Sequence, residues 1–95
     1  MLISLCVEEM ACNIVDHGFS KDSREHSIEL RILFKEKKCV LRIRDNCVNF
    51  DPLAYLELHK LDDPTAHIGI RMVMKMVRSA NYVNSLGLNN LTLVL

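Results

Sequence analysis

The sequence has little glycine, proline and aromatic content and no excess of charge of either sign. Three glycines, two prolines and no tryptophan occur in 95 residues. This composition excludes a collagen-like or linker-rich chain, and the length predicts a single domain over 1–95. Twelve Lys+Arg balance twelve Asp+Glu. A nucleic-acid-binding surface is therefore not expected, and the lack of net charge leaves two copies free to associate as a homodimer.

Long hydrophobic runs and paired cysteines are also missing. No apolar stretch reaches the ~18 residues that a membrane helix needs, and the apolar start has no basic leader. The four cysteines, Cys6, Cys12, Cys39 and Cys47, form no C-x-x-C pair and do not have zinc-finger spacing with any histidine. Free thiols in a reducing cytoplasm are the expectation, and no membrane span is predicted in this chain.

Hydrophobic periodicity predicts two long helices and two hairpins. Apolar residues at steps of three and four predict helices, and strict alternation predicts strands. The helices are expected over 2–17, 68–80 and, more briefly, 52–60; the strands over 27–34, 39–45, 82–86 and 91–95, with a turn at 87–90. Helices and hairpins segregate along the chain. We therefore expect an α+β fold, a two-layer α/β sandwich with helices packed on one face of a mixed or antiparallel sheet.

The first helix carries a polar stripe on an otherwise apolar surface. Glu9, Asn13 and His17 are spaced i, i+4, i+8 and share one face, with Asp16 beside them. A carboxylate there can take a proton from water, and an amide oxygen one turn away can bind Mg²⁺. A simply solvated stripe is the alternative.

Two further positions stand where ligands are often held. Asp45 ends a half-buried strand, just before an irregular segment, although Asp also favours ordinary turns at strand ends. Gly69 opens the second long helix, where free backbone N–H groups and the helix dipole favour an anion. A plain helix entry is the alternative reading of that glycine.

Taken together in this order, the segments resemble the GHKL ATPases, which share the histidine-kinase-type ATP-binding fold. The first helix looks like the family's E-x-x-x-N helix with its trailing His-Gly-aromatic, and Asp45 begins a segment similar to D-x-G-x-G-F-D-P. Residues 68–73 look like the G-L-G-L-x-L-V segment, and 81–93 look like the closing strands. Nearly the whole chain takes part, and bacterial anti-sigma-factor serine kinases are the most similar branch.

The resemblance implies a role for each matching residue. Glu9 would be the catalytic base that polarises a hydroxyl or water, and Asn13 would bind Mg²⁺ at the phosphates. Asp45 would accept the adenine amino group, Gly69 would let the backbone approach the phosphates, and Thr92 would support the adenine end. The segment 49–67 would be the ATP lid. The nucleotide-contacting set implied in this way is Asn13, His17, Asp45, Cys47, Asn49, Ile68, Gly69 and Thr92.

The chain also departs from the family pattern. Cys47 and Asn49 replace both glycines of the first box, and His67 replaces the first glycine of the second. The resemblance thus implies an ATP- and Mg²⁺-binding signalling domain that phosphorylates or sequesters a regulatory protein, such as a sigma factor or its antagonist. A non-catalytic partner-binding module of the same fold is the alternative, and a redox sensor built on Cys47 is a third.

Family members usually carry a strand and a helix ahead of the E-x-x-x-N helix. Here that helix begins at residue 2, so the resemblance implies that those elements are missing. A bare sheet edge and helix flank would then invite pairing with another chain.

Overall fold

The computed structural model describes residues 2–18, 25–63 and 65–95. Two hairpins and three helices alternate along the chain in the order that the sequence predicts. The elements are α1 (Leu2–Asn13), a π-helical turn (Ile14–Gly18), β1 (Ile28–Lys35), β2 (Lys38–Asp45), α2 (Pro52–Leu58), α3 (Ile68–Met76), β3 (Ser79–Ser85) and β4 (Leu88–Val94). No helix in this described part of the chain is both long and apolar enough to cross a membrane.

The four strands form one sheet in the order β1-β2-β4-β3. Each neighbouring pair is antiparallel, so within the described residues the sheet is antiparallel and not mixed. The two hairpins close through Glu36-Lys37 and Leu86-Gly87, all four with positive φ, from 51° to 76°. Turns with two positive φ values match the right-handed twist of paired strands, which explains their short length.

Several boundaries differ from the expected ones, among them the ends of both long helices and the start of β4. The helix predicted over 2–17 is α-helical only to Asn13 and then widens into the π-helical turn. The second long helix stops at Met76, because Val77 is extended (φ −83°, ψ 150°) and the Arg78 backbone N–H already bonds to the Val94 carbonyl. The predicted turn at 87–90 is shorter, and β4 begins at Leu88.

The core lies between the inner face of the sheet and helices α1 and α3. Strands β2 and β4 alternate buried and more exposed residues, which gives one covered face. The buried apolar side chains are Cys6, Met10, Ile14, Leu41, Ile43, Cys47, Ile70, Val73, Leu91 and Leu93. The predicted two-layer α+β sandwich is therefore confirmed.

The helices do not cover all of the inner face. Strand β1 lies at an edge of the sheet, and its side chains Leu30, Ile32 and Phe34 are 45%, 43% and 77% exposed. The partners of Leu30 and Ile32 across the ladder, which are Ile43 and Leu41, are buried. The core is thus built on β2 and β4, and β1 contributes its main chain more than its side chains.

This difference predicts unequal costs for the same substitution on neighbouring strands. Ile43 is 1% exposed and pairs with β1, whereas Ile32 is 43% exposed. We expect Ile43→Val to lower the free energy of unfolding by about 0.5–1.5 kcal/mol, because it removes a methylene from a packed core. Ile32→Val is the matched control and should change it by less than about 0.5 kcal/mol. Equal losses in urea denaturation would contradict this description of the core.

Candidate functional site

A buried carboxylate lies where the two central strands meet at one edge of the sheet. Asp45 ends β2, is 6% exposed, and pairs across the ladder with Asn89 of β4. Its Oδ1 accepts hydrogen bonds from Asn89 Nδ2 at 2.9 Å and from the Cys47 backbone N–H at 3.0 Å. A buried ionised group must be hydrogen-bonded to persist. Both of these bonds end on Oδ1, which leaves Oδ2 for a donor on a ligand.

Asn89 connects this carboxylate to strand β3 and to the segment after β2. Its Nδ2 also donates to the Cys47 carbonyl at 3.0 Å. Its Oδ1 accepts from Tyr82 Oη at 2.7 Å and from Asn84 Nδ2 at 2.8 Å. With both amide protons and the oxygen engaged, the Asn89 side chain is fixed in one orientation.

The Tyr82 hydroxyl is held in its neutral, donating form. Burial raises the pKa of Tyr82, the negative charges of Asp45 and Asp51 raise it further, and a backbone hydrogen bond with Phe50 opposes the rise. A neutral phenol can donate to Asn89 Oδ1, and it adds no charge next to Asp45. The network thus carries a single carboxylate surrounded by neutral donors.

The carboxylate forms part of the wall of a narrow, mostly apolar pocket. Its enclosed volume is about 10 Å³, which is room for about one water molecule. Helix α1, the ends of β2 and α2, and strands β3 and β4 contribute the lining, which is Met10, Asn13, Ile14, Asp45, Phe50, Pro52, Tyr82 and Leu91. An apolar slot with one fixed acceptor suits a flat ring that carries an amino group.

Asn13 connects this pocket to the polar stripe of α1. It lines the pocket, and its Nδ2 donates to the Glu9 carbonyl at 2.6 Å. The amide nitrogen is therefore used inside the helix, and the amide oxygen remains as the atom that could bind a hard cation. Glu9 and Asn13 of the predicted stripe therefore lie one turn apart on α1, and Asn13 faces the pocket.

The Glu9 side chain lies against the first turn of α3. A β-carbon added at Gly69 would overlap the Glu9 carboxylate, with Oε2 the nearest atom. Gly69 does not have a positive φ, so this position favours glycine because of the close approach and not because of its backbone angles. The structure thus brings together Glu9 and Gly69, which are 60 positions apart in the printed sequence.

Other predicted site residues lie beside the pocket without lining it. The Cys47 side chain packs in the core, and only its backbone holds Asp45 and Asn89. Asn49 is exposed and accepts from Asn84 Nδ2 at 2.9 Å. Ile68, at the start of α3, is 56% exposed. The His17 side chain lies outside the described residues.

Thr92, which the resemblance assigns to the adenine end directly or through water, does not line the pocket. Thr92 pairs with Arg42 and Asn81 and lies on the outer face of the sheet, in a shallow depression with Arg42 and Arg44. The strand alternates, so Asn89 and Leu91 face the pocket and Thr92 faces away from it.

The sequence did contain a signal for Asn89. We assigned residues 87–90 to a turn because Gly and Asn are common in turns. Alternation backwards from the buried Leu93 and Leu91 places Asn89 on the same inner face. An asparagine in phase with a buried stripe needs a polar partner, and Asp45 provides it.

Comparison with known proteins agrees with this geometry. Residues 2–95 match the family described as "Histidine kinase-like ATPase domain". No functionally curated protein matches the sequence significantly.

Two solved structures from Erythrobacter litoralis EL346 have a similar fold: the histidine kinase domain of a blue-light activated histidine kinase, and that blue-light activated histidine kinase itself. Each has a TM-score of 0.70 and 18% identity over 99% of this chain, which spans 45% and 29% of their respective lengths. At 18% sequence identity, these similarities show a shared fold. Because the family match covers nearly every residue, the chain belongs to the histidine kinase-like ATPase domain family.

Proposed function

We propose that this domain binds ATP with Mg²⁺ and acts as a signalling kinase of the anti-sigma-factor type. The observation that carries the proposal is the apolar pocket whose single carboxylate, Asp45, is oriented by Asn89. The free Oδ2 would accept from the adenine amino group, and Met10, Ile14 and Leu91 would enclose the ring. The chemistry of these residues matches an adenine base, and the slot would have to widen to admit one, because its enclosed volume is about 10 Å³.

Residues of α1 and α3 would hold the phosphates of the nucleotide. Asn13 offers its amide oxygen to Mg²⁺, because its nitrogen is bonded to the Glu9 carbonyl. Gly69 has no β-carbon, so a phosphate could approach the backbone at the start of α3 once the Glu9 carboxylate beside it moves away, and the helix dipole there favours anions. Bound ATP supplies the phosphoryl group, and Mg²⁺ neutralises the charge of its phosphates.

In this scheme the Glu9 side chain would have to leave the position that it occupies beside Gly69. In the described structure its carboxylate lies against Gly69, the place that a phosphate would approach, and two anions repel each other there. Phosphate binding would therefore move Glu9 away from Gly69. In its new position Glu9 would accept the proton of a serine hydroxyl on a regulatory partner as that oxygen attacks the γ-phosphorus and ADP leaves with the bridging oxygen.

A non-catalytic partner-binding module is the second candidate. It is favoured by the narrow pocket and by His67, which stands in place of a family glycine and whose ring is engaged with Tyr55 and Asp62. Such a module would keep the fold and bind a regulatory protein such as a sigma factor or its antagonist. Nucleotide binding separates the two candidates.

Titration with MgATP while following the melting temperature tests the proposal. At a concentration of 100 Kd, binding should stabilise the domain by about 2.7 kcal/mol. Asp45→Asn should abolish the shift, because the amide offers a donor where the carboxylate accepts. Glu9→Ala should retain the shift and lose phosphoryl transfer, with Glu8→Ala, the exposed neighbour on α1, as its control. No shift at millimolar MgATP would leave the non-catalytic module.

The Glu9–Gly69 contact predicts a coupled pair of substitutions. Alanine favours helix over glycine by up to about 1 kcal/mol, so Gly69→Ala should stabilise a Glu9→Ala protein. In the wild-type background the new methyl must displace the Glu9 carboxylate, and the gain should shrink or reverse. A double-mutant cycle on the free energy of unfolding should show coupling of about 0.5 kcal/mol or more. Additive effects would mean that the two residues do not touch.

Asn89 is a positioning residue, and its removal should affect both stability and binding. Asn89→Ala leaves the Asp45 carboxylate and the Tyr82 hydroxyl without this partner, at a cost of about 1–3 kcal/mol. We also expect weaker MgATP binding, measured at a temperature where the variant is folded. Asn90→Ala, on the outer face, should cost less than about 1 kcal/mol and leave binding unchanged. A variant that is destabilised yet binds normally would show that Asn89 is only structural.

A further inference from the structure

The loop between α2 and α3 gathers two histidines and a carboxylate around one point. Asp62 Oδ2 lies 2.9 Å from His59 Nδ1 and 3.1 Å from His67 Nε2. All three of these atoms lie within 4.8 Å of one another. The cluster is separate from the pocket, whose lining contains none of the three residues.

The elements on either side of the loop hold the two histidines. His59 follows the last turn of α2, where its backbone N–H bonds to the Tyr55 carbonyl. His67 precedes α3 in a left-handed conformation, φ 57° and ψ 33°. Such a backbone is uncommon for a residue with a β-carbon, so the surroundings must stabilise it. The ring contributes: its Nδ1 lies 3.1 Å from Tyr55 Oη, and its plane is nearly perpendicular to the Tyr55 ring.

Arg71 fixes the main chain of the same loop. Its Nη2 donates to the His59 carbonyl at 2.9 Å and its Nε donates to the Ala66 carbonyl at 2.8 Å. One guanidinium group from α3 thus ties both ends of the loop together. The donor atoms of the cluster are therefore arranged by the fold before any ligand arrives, which lowers the ordering cost of binding.

The cluster has the composition of a particular class of metal site. Two imidazoles and one carboxylate are typical ligands of zinc and related transition metals, whereas Mg²⁺ and Ca²⁺ prefer oxygen alone. Zn²⁺ binds nitrogen at roughly 2.0–2.1 Å with tetrahedral geometry, so its ligands lie somewhat more than 3 Å apart. The two separations from Asp62 Oδ2, 2.9 and 3.1 Å, require a small expansion, and the two imidazole nitrogens, which lie within 4.8 Å of each other, must come closer together.

The surroundings of His67 also match a metal site. The far nitrogen of His67 faces the Tyr55 hydroxyl, and a ligating imidazole usually donates its other N–H to such a partner.

We propose that His59, Asp62 and His67 bind a divalent transition-metal ion of the zinc class, with water in the fourth position. The ion joins the end of α2 to the start of α3, two residues before Gly69. This site does not depend on nucleotide binding.

Titration of the full chain with Co²⁺, a spectroscopic substitute for zinc, tests the proposal. Tetrahedral nitrogen and oxygen ligands should give visible absorption, without the near-ultraviolet charge-transfer band that a cysteine thiolate would add. Asp62→Asn and His67→Gly should each weaken binding at least tenfold, since even outer partners of metal ligands contribute 10- to 100-fold. His67→Gly suits the left-handed backbone and should fold.

Asp63→Asn is the matched control, because Asp63 is the neighbouring exposed residue and its carboxylate bonds only to Thr65 among the described residues. It should leave Co²⁺ binding unchanged, and Zn²⁺ should displace Co²⁺ from the wild-type protein. The proposal is overturned by a thiolate band, by equal affinity in Asp62→Asn and wild type, or by no saturation at tenfold molar excess of metal.

Discussion

The buried Asp45 carboxylate is the constraint on which the rest of the site depends. A charge removed from water must be matched by fixed donors, and here those donors come from the Cys47 backbone and the Asn89 side chain. The match requires the register in which Asp45 faces Asn89 across β2 and β4. A slip of one residue would turn Asn89 to the outer face and leave the carboxylate unpaired. The register of the central strands and the chemistry of the pocket are therefore set together.

The second constraint on the site is the contact between helices α1 and α3. Helix α1 presents Asn13 to the pocket and Glu9 to α3, so one helical face serves both ends of the site. The packing of α1 against α3 can be this close because residue 69 has no β-carbon. Gly69, where the resemblance implies that a phosphate approaches, is in the described structure also a packing contact for the Glu9 carboxylate. Under the proposed function, Glu9 must therefore move before a phosphate can approach.

The fold and part of the candidate site, namely Asn13 and Asp45 of the pocket, could be predicted from the sequence. The physical reasons differ from residue to residue. Alternation identified both hairpins, since β2 and β4 bury one face, and helical spacing placed Glu9 and Asn13 on a shared face. The resemblance assigned Thr92 to the adenine end, but a motif gives a position along a strand and not the face to which a side chain points. Asn89 was not predicted because glycine and asparagine favour turns, and that signal was given more weight than the alternation of strand β4. The His59–Asp62–His67 cluster depends on a loop closed by Arg71, and no periodic pattern encodes such a closure.

Residue 67 shows how one side chain can fix a segment that a glycine would leave free. Glycine would adopt the left-handed backbone there without cost, whereas that backbone is unfavourable for histidine and contacts of the ring must compensate. The ring contacts Tyr55 and Asp62, and neither contact needs a nucleotide. If the segment 49–67 acts as a lid, as the resemblance implies, these contacts oppose its opening. A metal ion bound to His59, Asp62 and His67 would hold the α2–α3 junction more firmly still.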